Sequence, residues 1–368
     1  VTASGASRFD AEQQGRRARA AVDRIRRTRF DPDALVEPVS IAIGVAGVGK
    51  LGFHHARILS TLDGVRMSGV FDVDRERAQQ VALDLGVTAH ASLEALLDRS
   101  DALVVSVPTT AHEEVAVAAL QRGIHVLVEK PIAPDLAAAD RIVSAAGPGT
   151  VVQIGHVERF NPAILAAEAF LDEPLFIESH RLAPFSPRSL DVAVVSDLMI
   201  HDVDLVGSLV GRSVVDIAAA GMPVLTQTVD IANARLTFEG GAVANLTASR
   251  ISLERMRKLR IFQRSGYLSL NLADGTGEFL RLKDDFSLMA AMQGLAAPPP
   301  GGLGDVVERI PLGGDGAEPL RRELENFRDA AIGCASPAVT GAQGRAALAL
   351  TLSIEERIKI HVAHSRSS

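Results

Sequence analysis

Tryptophan is absent from the 368 residues, and there is only one tyrosine and one cysteine. With so few aromatic platforms the chain has little on which to stack bases or sugar rings. Cys334, alone, excludes an intrachain disulfide and any structural zinc site that needs two thiolates, and it suits a reducing, cytoplasmic setting. No apolar run approaches the ~20 residues of a membrane-spanning helix, so no membrane partner is expected. The net charge of −7 argues against a nucleic-acid binder that works by neutralising phosphates. What is present is 47% hydrophobic residues, 23% charged residues and 31 glycines. That balance is globular, in a chain long enough for two domains.

The first 40 residues stand apart, with eight arginines and six acids. Residues 11–29 have only Val22 and Ile25 as large apolar side chains, so residues 1–39 read as a mobile, solvated extension rather than a signal peptide. From residue 40, Val- and Ile-rich runs at 41–46, 66–71, 88–89, 102–107, 124–128 and 151–154 alternate with helical patterns. This predicts a doubly wound parallel sheet of six strands, a Rossmann domain over residues 40–157. Thereafter come runs at 175–181, 214–220, 229–238, 242–251, 258–264 and 266–272. They are joined by turns such as Glu239-Gly240-Gly241 and predict an antiparallel sheet in a second α/β domain over residues 158–362. Residues 195–210, 321–332 and 344–360 read as helices, the last two able to pack back on the first domain. Three successive prolines make 296–304 a surface loop.

The first strand runs into Gly47-Val48-Gly49-Lys50-Leu51-Gly52, a G-x-G-x-x-G that opens a helix. Gly47 permits the tight turn, Gly49 lets a pyrophosphate reach the backbone, and Gly52 lets helix and strand pack closely. Asp72 ends the second strand 25 residues after Gly47. A carboxylate there accepts the ribose hydroxyls of NAD and repels the 2′-phosphate of NADP. Ligands of open parallel sheets sit beyond the carboxyl ends of the strands, which adds Ser106, Pro108 and His112 after one strand and Glu129-Lys130-Pro131 after another. Lys130 would lie at the nicotinamide end. His55 reads as packing between helix and sheet.

A second constellation is Ser196-Asp197-Leu198-Met199-Ile200-His201-Asp202-Val203-Asp204. On a helix Asp197 and His201 share a face, Asp204 flanks it and Asp202 points away. An imidazole beside a carboxylate is a tuned proton acceptor. His156 and His180 lack metal-ligand spacing, and no metal is expected.

The glycine loop, the Glu129-Lys130-Pro131 triplet and the Asp197–His201 pair together resemble the glucose-fructose oxidoreductase, inositol dehydrogenase and rhizopine catabolism (Gfo/Idh/MocA) family over roughly residues 40–362. The resemblance implies a Rossmann domain followed by an α/β domain with a large, mostly antiparallel sheet. The open face of that sheet would join subunits into a homodimer or homotetramer. It also implies that Lys130, Asp197 and His201 are catalytic, with a cis bond before Pro131. His201 would take a hydroxyl proton, Asp197 would orient the imidazole, and Lys130 would stabilise charge on the alcohol oxygen; whether Lys130 or His201 is the first proton acceptor stays open.

The segments 153–162, 178–185 and 197–202 resemble, more narrowly, the branch of that family that oxidises the 3-hydroxyl of UDP-N-acetylglucosamine with NAD. The expected substrate is therefore a sugar or nucleotide sugar. Arg159 and Arg181, with Asn161 and His201, are expected to hold it, and His180 and Arg188 are further cations for a diphosphate. An inositol or free-sugar dehydrogenase of the same family, or a catalytically silent NAD- or sugar-sensing regulator, are the alternatives.

Overall fold

The computed structural model describes residues 40–186, 192–283, 303–314 and 316–367. The expected extension at 1–39, Arg188, and residues 296–302 of the expected loop lie outside the described residues.

The first sheet is built from β1 (Ile41–Ala46), β2 (Val65–Phe71), β3 (Ala102–Val105), β4 (His125–Glu129) and β5 (Val152–Gly155), in the order β2-β1-β3-β4-β5 and parallel throughout. All six residues of β1 and all four of β3 are buried, because helices cover both faces. Those helices are α1 (Lys50–Leu59), α2 (Arg75–Leu85), α3 (Leu93–Leu97), α4 (His112–Leu120) and α5 (Leu136–Ser144). The expected strand at 88–89 is only a single bridge from Ala89 to Val70, so the sheet has five strands rather than six.

The second domain opens with helix α6 (Pro162–Ala167) and carries an eight-stranded sheet. Its strands are β6 (Phe176–Leu182), β7 (Val214–Met222), β8 (Ile231–Phe238), β9 (Val243–Ser249), β10 (Met256–Gln263), β11 (Gly266–Asn271), β12 (Thr276–Leu282) and β13 (Val307–Gly313). The order is β13-β12-β11-β10-β6-β9-β8-β7, antiparallel except for the β6–β9 pair. Alternation along β8 and β10 buries one face and exposes the other. The buried face is covered by α7 (Ile200–Val210), which follows a five-residue π turn, Val195–Met199. Strand β13 at the sheet's edge and its neighbour β12 escaped the sequence reading because they bury few residues, leaving little apolar alternation to read.

The closing helices α8 (Pro319–Ala331) and α9 (Gly341–Ser367) return to the first domain. Leu324 and Phe327 of α8 pack with Ile43, Val104 and Leu127 on one face of the parallel sheet, and Leu348 of α9 packs with Val126 and Ile154 on the other. Farther along, Ile354 and Ile358 of α9 enter the core of the second domain. Among the described residues, no helix is long and apolar enough to cross a membrane.

Candidate active site

The turn between β1 and α1 is shaped by what its glycines leave out. Gly47 has φ +84°, and a Cβ there would lie 2.6 Å from the backbone of Ser106 and Val107. A Cβ on Gly52 would fall 1.8 Å from the Gly47 carbonyl oxygen, so only glycine lets α1 sit this close to the loop. At Gly49 a Cβ would meet nothing within 4 Å, which is the open space a pyrophosphate needs. No side chain caps α1, so its first N–H groups remain free for phosphate oxygens.

Asp72, just beyond β2, accepts hydrogen bonds from the Val48 N–H at 2.7 Å and the Asp74 N–H at 3.0 Å. The cap of α2 is Asp74, so Asp72 is not spent on capping. Its carboxylate is held beside the glycine loop with lone pairs left for ribose hydroxyls. Arg77 also reaches this loop: its Nε donates to the Val48 carbonyl at 2.9 Å and its guanidinium lies over the Phe53 ring. Ser106 and Pro108 follow β3 at the same end of the sheet, and Lys50 and Leu51 are exposed at the start of α1. These residues fit NAD.

Two of the expected cofactor contacts serve another purpose. His112 is 1% exposed, with Nδ1 3.0 Å from the Pro131 carbonyl and Nε2 3.0 Å from the Val107 carbonyl. It therefore ties two loops together, and burial lowers its pKa. Glu129 is likewise buried, meeting His55 Nε2 through Oε1 at 2.7 Å and accepting from the Lys130 N–H through Oε2 at 3.2 Å. It shapes the strand end from inside.

Lys130 and His201 reach the same place from the two domains. The Lys130–Pro131 bond is cis. Lys130 Nζ donates to the Asp197 carbonyl at 2.7 Å and lies 4.0 Å from Asp197 Oδ1. Burial pushes the pKa of the amine down, with Asp197 and Glu129 opposing. His201 is half-buried, and its Nδ1 is enclosed without a hydrogen-bond partner. Burial first, then Lys130, Arg181, His156 and Arg257, drive its pKa well below the ordinary imidazole value. The His156 ring lies 6.3 Å away and perpendicular to it. The expected Asp197–His201 pair does not form. The carboxylate faces Lys130, and no hydrogen bond or ion pair joins it to the imidazole.

The expected substrate cations are also redirected. Arg181 is 3% exposed, bound bidentately by Asp202 at 2.7 and 3.1 Å and by Glu158 at 2.8 Å. Asp202 thus points into the protein, because α7 buries a wider face than one stripe. Arg159 is held by Asp204 at 2.5 and 2.9 Å and by Ser208. It lines a cavity of 490 Å³ whose walls include neither Lys130 nor His201. Asn161 caps α6 through Ala163 N–H and donates to Glu158 and the Leu272 carbonyl, so it too is structural. His180 alternates with Arg181 along β6 and falls on the opposite face of the sheet.

The residue that sequence reasoning missed is Arg257. It pairs in register with Arg181 on β10 and projects to the same face. Its side chain is 42% exposed, 3.4 Å from Glu158, and its charge reaches His201. Burial, and after it Arg181 and Arg255, lower its pKa against the opposing charge of Glu158. The signal was there in Arg257, Leu259 and Ile261, an alternation that puts a cation on the inward face.

The fold and this site define an oxidoreductase of the NAD-binding Rossmann type. The chain belongs to the Gfo/Idh/MocA family: residues 41–156 match its NAD-binding Rossmann domain and residues 166–269 its C-terminal domain. Among particular relatives, it is 42% identical over 240 residues to the UDP-N-acetylglucosamine 3-dehydrogenase of Acidithiobacillus ferrooxidans, covering 65% of this chain and 76% of that one. A solved structure of that enzyme superposes with a TM-score of 0.80 at 36% identity, covering 88% of this chain and 99% of the other. Inositol 2-dehydrogenase 2 of Saccharopolyspora erythraea is 35% identical over 193 residues, 49% of this chain and 57% of that protein.

Proposed function

We propose that the chain oxidises the 3-hydroxyl of UDP-N-acetylglucosamine, or of a closely related nucleotide sugar, to the ketone. NAD supplies the hydride acceptor, C4 of its nicotinamide ring. His201, kept neutral by its surroundings, receives the hydroxyl proton. Lys130 donates a hydrogen bond to the alcohol oxygen and stabilises the charge that develops there. Asp197 holds Lys130 in place rather than orienting His201.

The observation that carries the reading is Arg257, a half-exposed cation beside Arg255 and within electrostatic reach of His201. A diphosphate needs such a charge and an uncharged polyol does not. The A. ferrooxidans relative, named for a UDP-sugar, supports the same choice. A homodimer or homotetramer formed through the open face of the second sheet belongs to this reading. It is supported by Phe176, Phe262 and Tyr267, which cluster on that face with Phe262 38% exposed. A cytoplasmic setting, which suits the exposed free thiol of Cys334, belongs to it as well.

The test follows NADH absorbance with UDP-N-acetylglucosamine, N-acetylglucosamine 1-phosphate and myo-inositol. The nucleotide sugar should show the highest kcat/KM, and Arg257→Ala should raise its KM more than it lowers kcat. Myo-inositol turned over as efficiently would replace the proposal with the inositol reading.

A further inference from the structure

Behind the catalytic lysine, three ionisable side chains from three elements meet in the core. His55 on α1 and Glu323 on α8 are 0% exposed, and Glu129 at the end of β4 is 7% exposed. One nitrogen or oxygen of each lies within 4.8 Å of the others. Gly155, the β5 partner of Glu129, has no side chain and lets the carboxylate lie against that strand, where a Cβ would approach it to 3.0 Å. Glu129 is fully engaged, with His55 on one oxygen and the Lys130 N–H on the other. Glu323 is not: neither of its carboxyl oxygens has a hydrogen-bond partner, nor has the buried Oε1 of Gln153, whose Nε2 reaches the Glu323 carbonyl at 3.3 Å.

Two carboxylates this close in a dry core do not both stay ionised without a compensating cation. The charges of His55 and Lys130 act on Glu129, whereas Glu323 feels only burial and the Glu129 charge, so a proton on Glu323 or a divalent metal ion is what would meet that requirement. The 2.7 Å contact between His55 Nε2 and Glu129 favours the proton. A contact that short has a hydrogen between the atoms, whereas two ligands of one ion would turn bare lone pairs toward the metal.

We infer that Glu323 is held as a neutral carboxylic acid at neutral pH and that it is a positioning residue, backing the Glu129 carboxylate and through it the backbone that presents Lys130. Its surroundings agree. Burial, and then the charge of Glu129, raise the Glu323 pKa well above the carboxylate range. Glu129 stays below its usual value, because the hydrogen bond and charge of His55 and the charge of Lys130 outweigh its burial. Among the described residues, His112 and His156 also feel the Glu129 charge. Two carboxyl groups whose environments push their pKa values apart take different protonation states, here an acid behind a base. The protonation state is independent of the substrate proposed above. Only the kinetic consequence rests on that reading.

The experiment uses the full chain and compares wild type with Glu323→Gln and Glu323→Ala. Infrared difference spectra at neutral pH should show in wild type a protonated carboxyl stretch that Glu323→Gln lacks. Melting temperature supplies a second readout. A raised folded-state pKa means that stability is fully present below the unfolded pKa and is lost as pH rises through the folded one. Glutamine does not titrate, so the advantage of Glu323→Gln over wild type should grow as pH rises above the unfolded carboxyl pKa of about 4.3. With substrate, Glu323→Ala should lower kcat by up to about 10²-fold, the cost of a misplacement of order 1 Å, with NAD affinity kept. Glu323→Gln should rescue it. A wild-type spectrum without that stretch overturns the inference, as does a melting difference that does not change with pH. So does a stoichiometric divalent metal that Glu323→Gln abolishes. Equal kcat loss in the two variants removes the positioning role. If the substrate reading fails, the infrared and melting measurements still decide the protonation state.

Discussion

Replacing Arg181 by alanine tests whether its charge belongs to the core or to the substrate. The guanidinium makes three charge-assisted hydrogen bonds, two to Asp202 and one to Glu158, with all three side chains between 3% and 7% exposed. Removing it leaves two carboxylates in a place that water hardly reaches. Breaking a buried pair in this way costs about 3–5 kcal/mol, chiefly the desolvation of the charge left behind. Glu158 keeps the Asn161 amide at 3.0 Å and Arg257 at 3.4 Å, so the lower half of that range is expected. Urea denaturation monitored by circular dichroism reads the loss directly. A triple variant, Arg181→Met with Glu158→Gln and Asp202→Asn, should recover most of it, because no uncompensated charge remains. An Arg181→Ala protein within about 1 kcal/mol of wild type, the value of an exposed pair, would refute the reasoning.

Asp72→Ala should weaken NAD binding by about 1–3 kcal/mol and relax discrimination against NADP, measured by calorimetric titration of both cofactors. Unchanged NAD affinity would remove Asp72 from the ribose site. Lys130→Ala and His201→Ala should each slow single-turnover hydride transfer by about 10²–10⁴-fold while NAD still binds, with effects that do not add. Full activity in either would exclude that residue. Burial lowers the pKa values of His112, His156 and His201, so the unfolded chain binds more protons as pH falls below about 6.5. Stability should therefore drop through that window, by up to about 1.4 kcal/mol per pH unit for each imidazole, and urea midpoints taken at several pH values check it.

Local chemistry was legible in the chain alone wherever a residue's role depends on its immediate neighbours. The Val- and Ile-rich runs of β1, β3 and β4 could only be buried on both faces. Gly47 and Gly52 are dictated by a turn whose backbone excludes any side chain. Asp72 and Lys130 stand at strand ends, where a parallel sheet places its ligands. Strands β12 and β13 were not legible, because each buries few residues and so carries no clear period.

What only the tertiary structure decided is which charges face each other. Asp197 and His201 have helical spacing, yet the carboxylate turns to Lys130 from another domain. Arg159 and Arg181 look like free cations in the chain but are neutralised by Asp204, Asp202 and Glu158, while Arg257, itself 3.4 Å from Glu158, remains half-exposed. Glu323, 194 residues beyond Glu129, has no sequence signal at all linking it to Lys130. Periodicity and turn chemistry act over a few residues, so a sequence determines them directly. A charge finds its partner across the whole fold, where burial decides whether it is paired, protonated or left to meet a substrate.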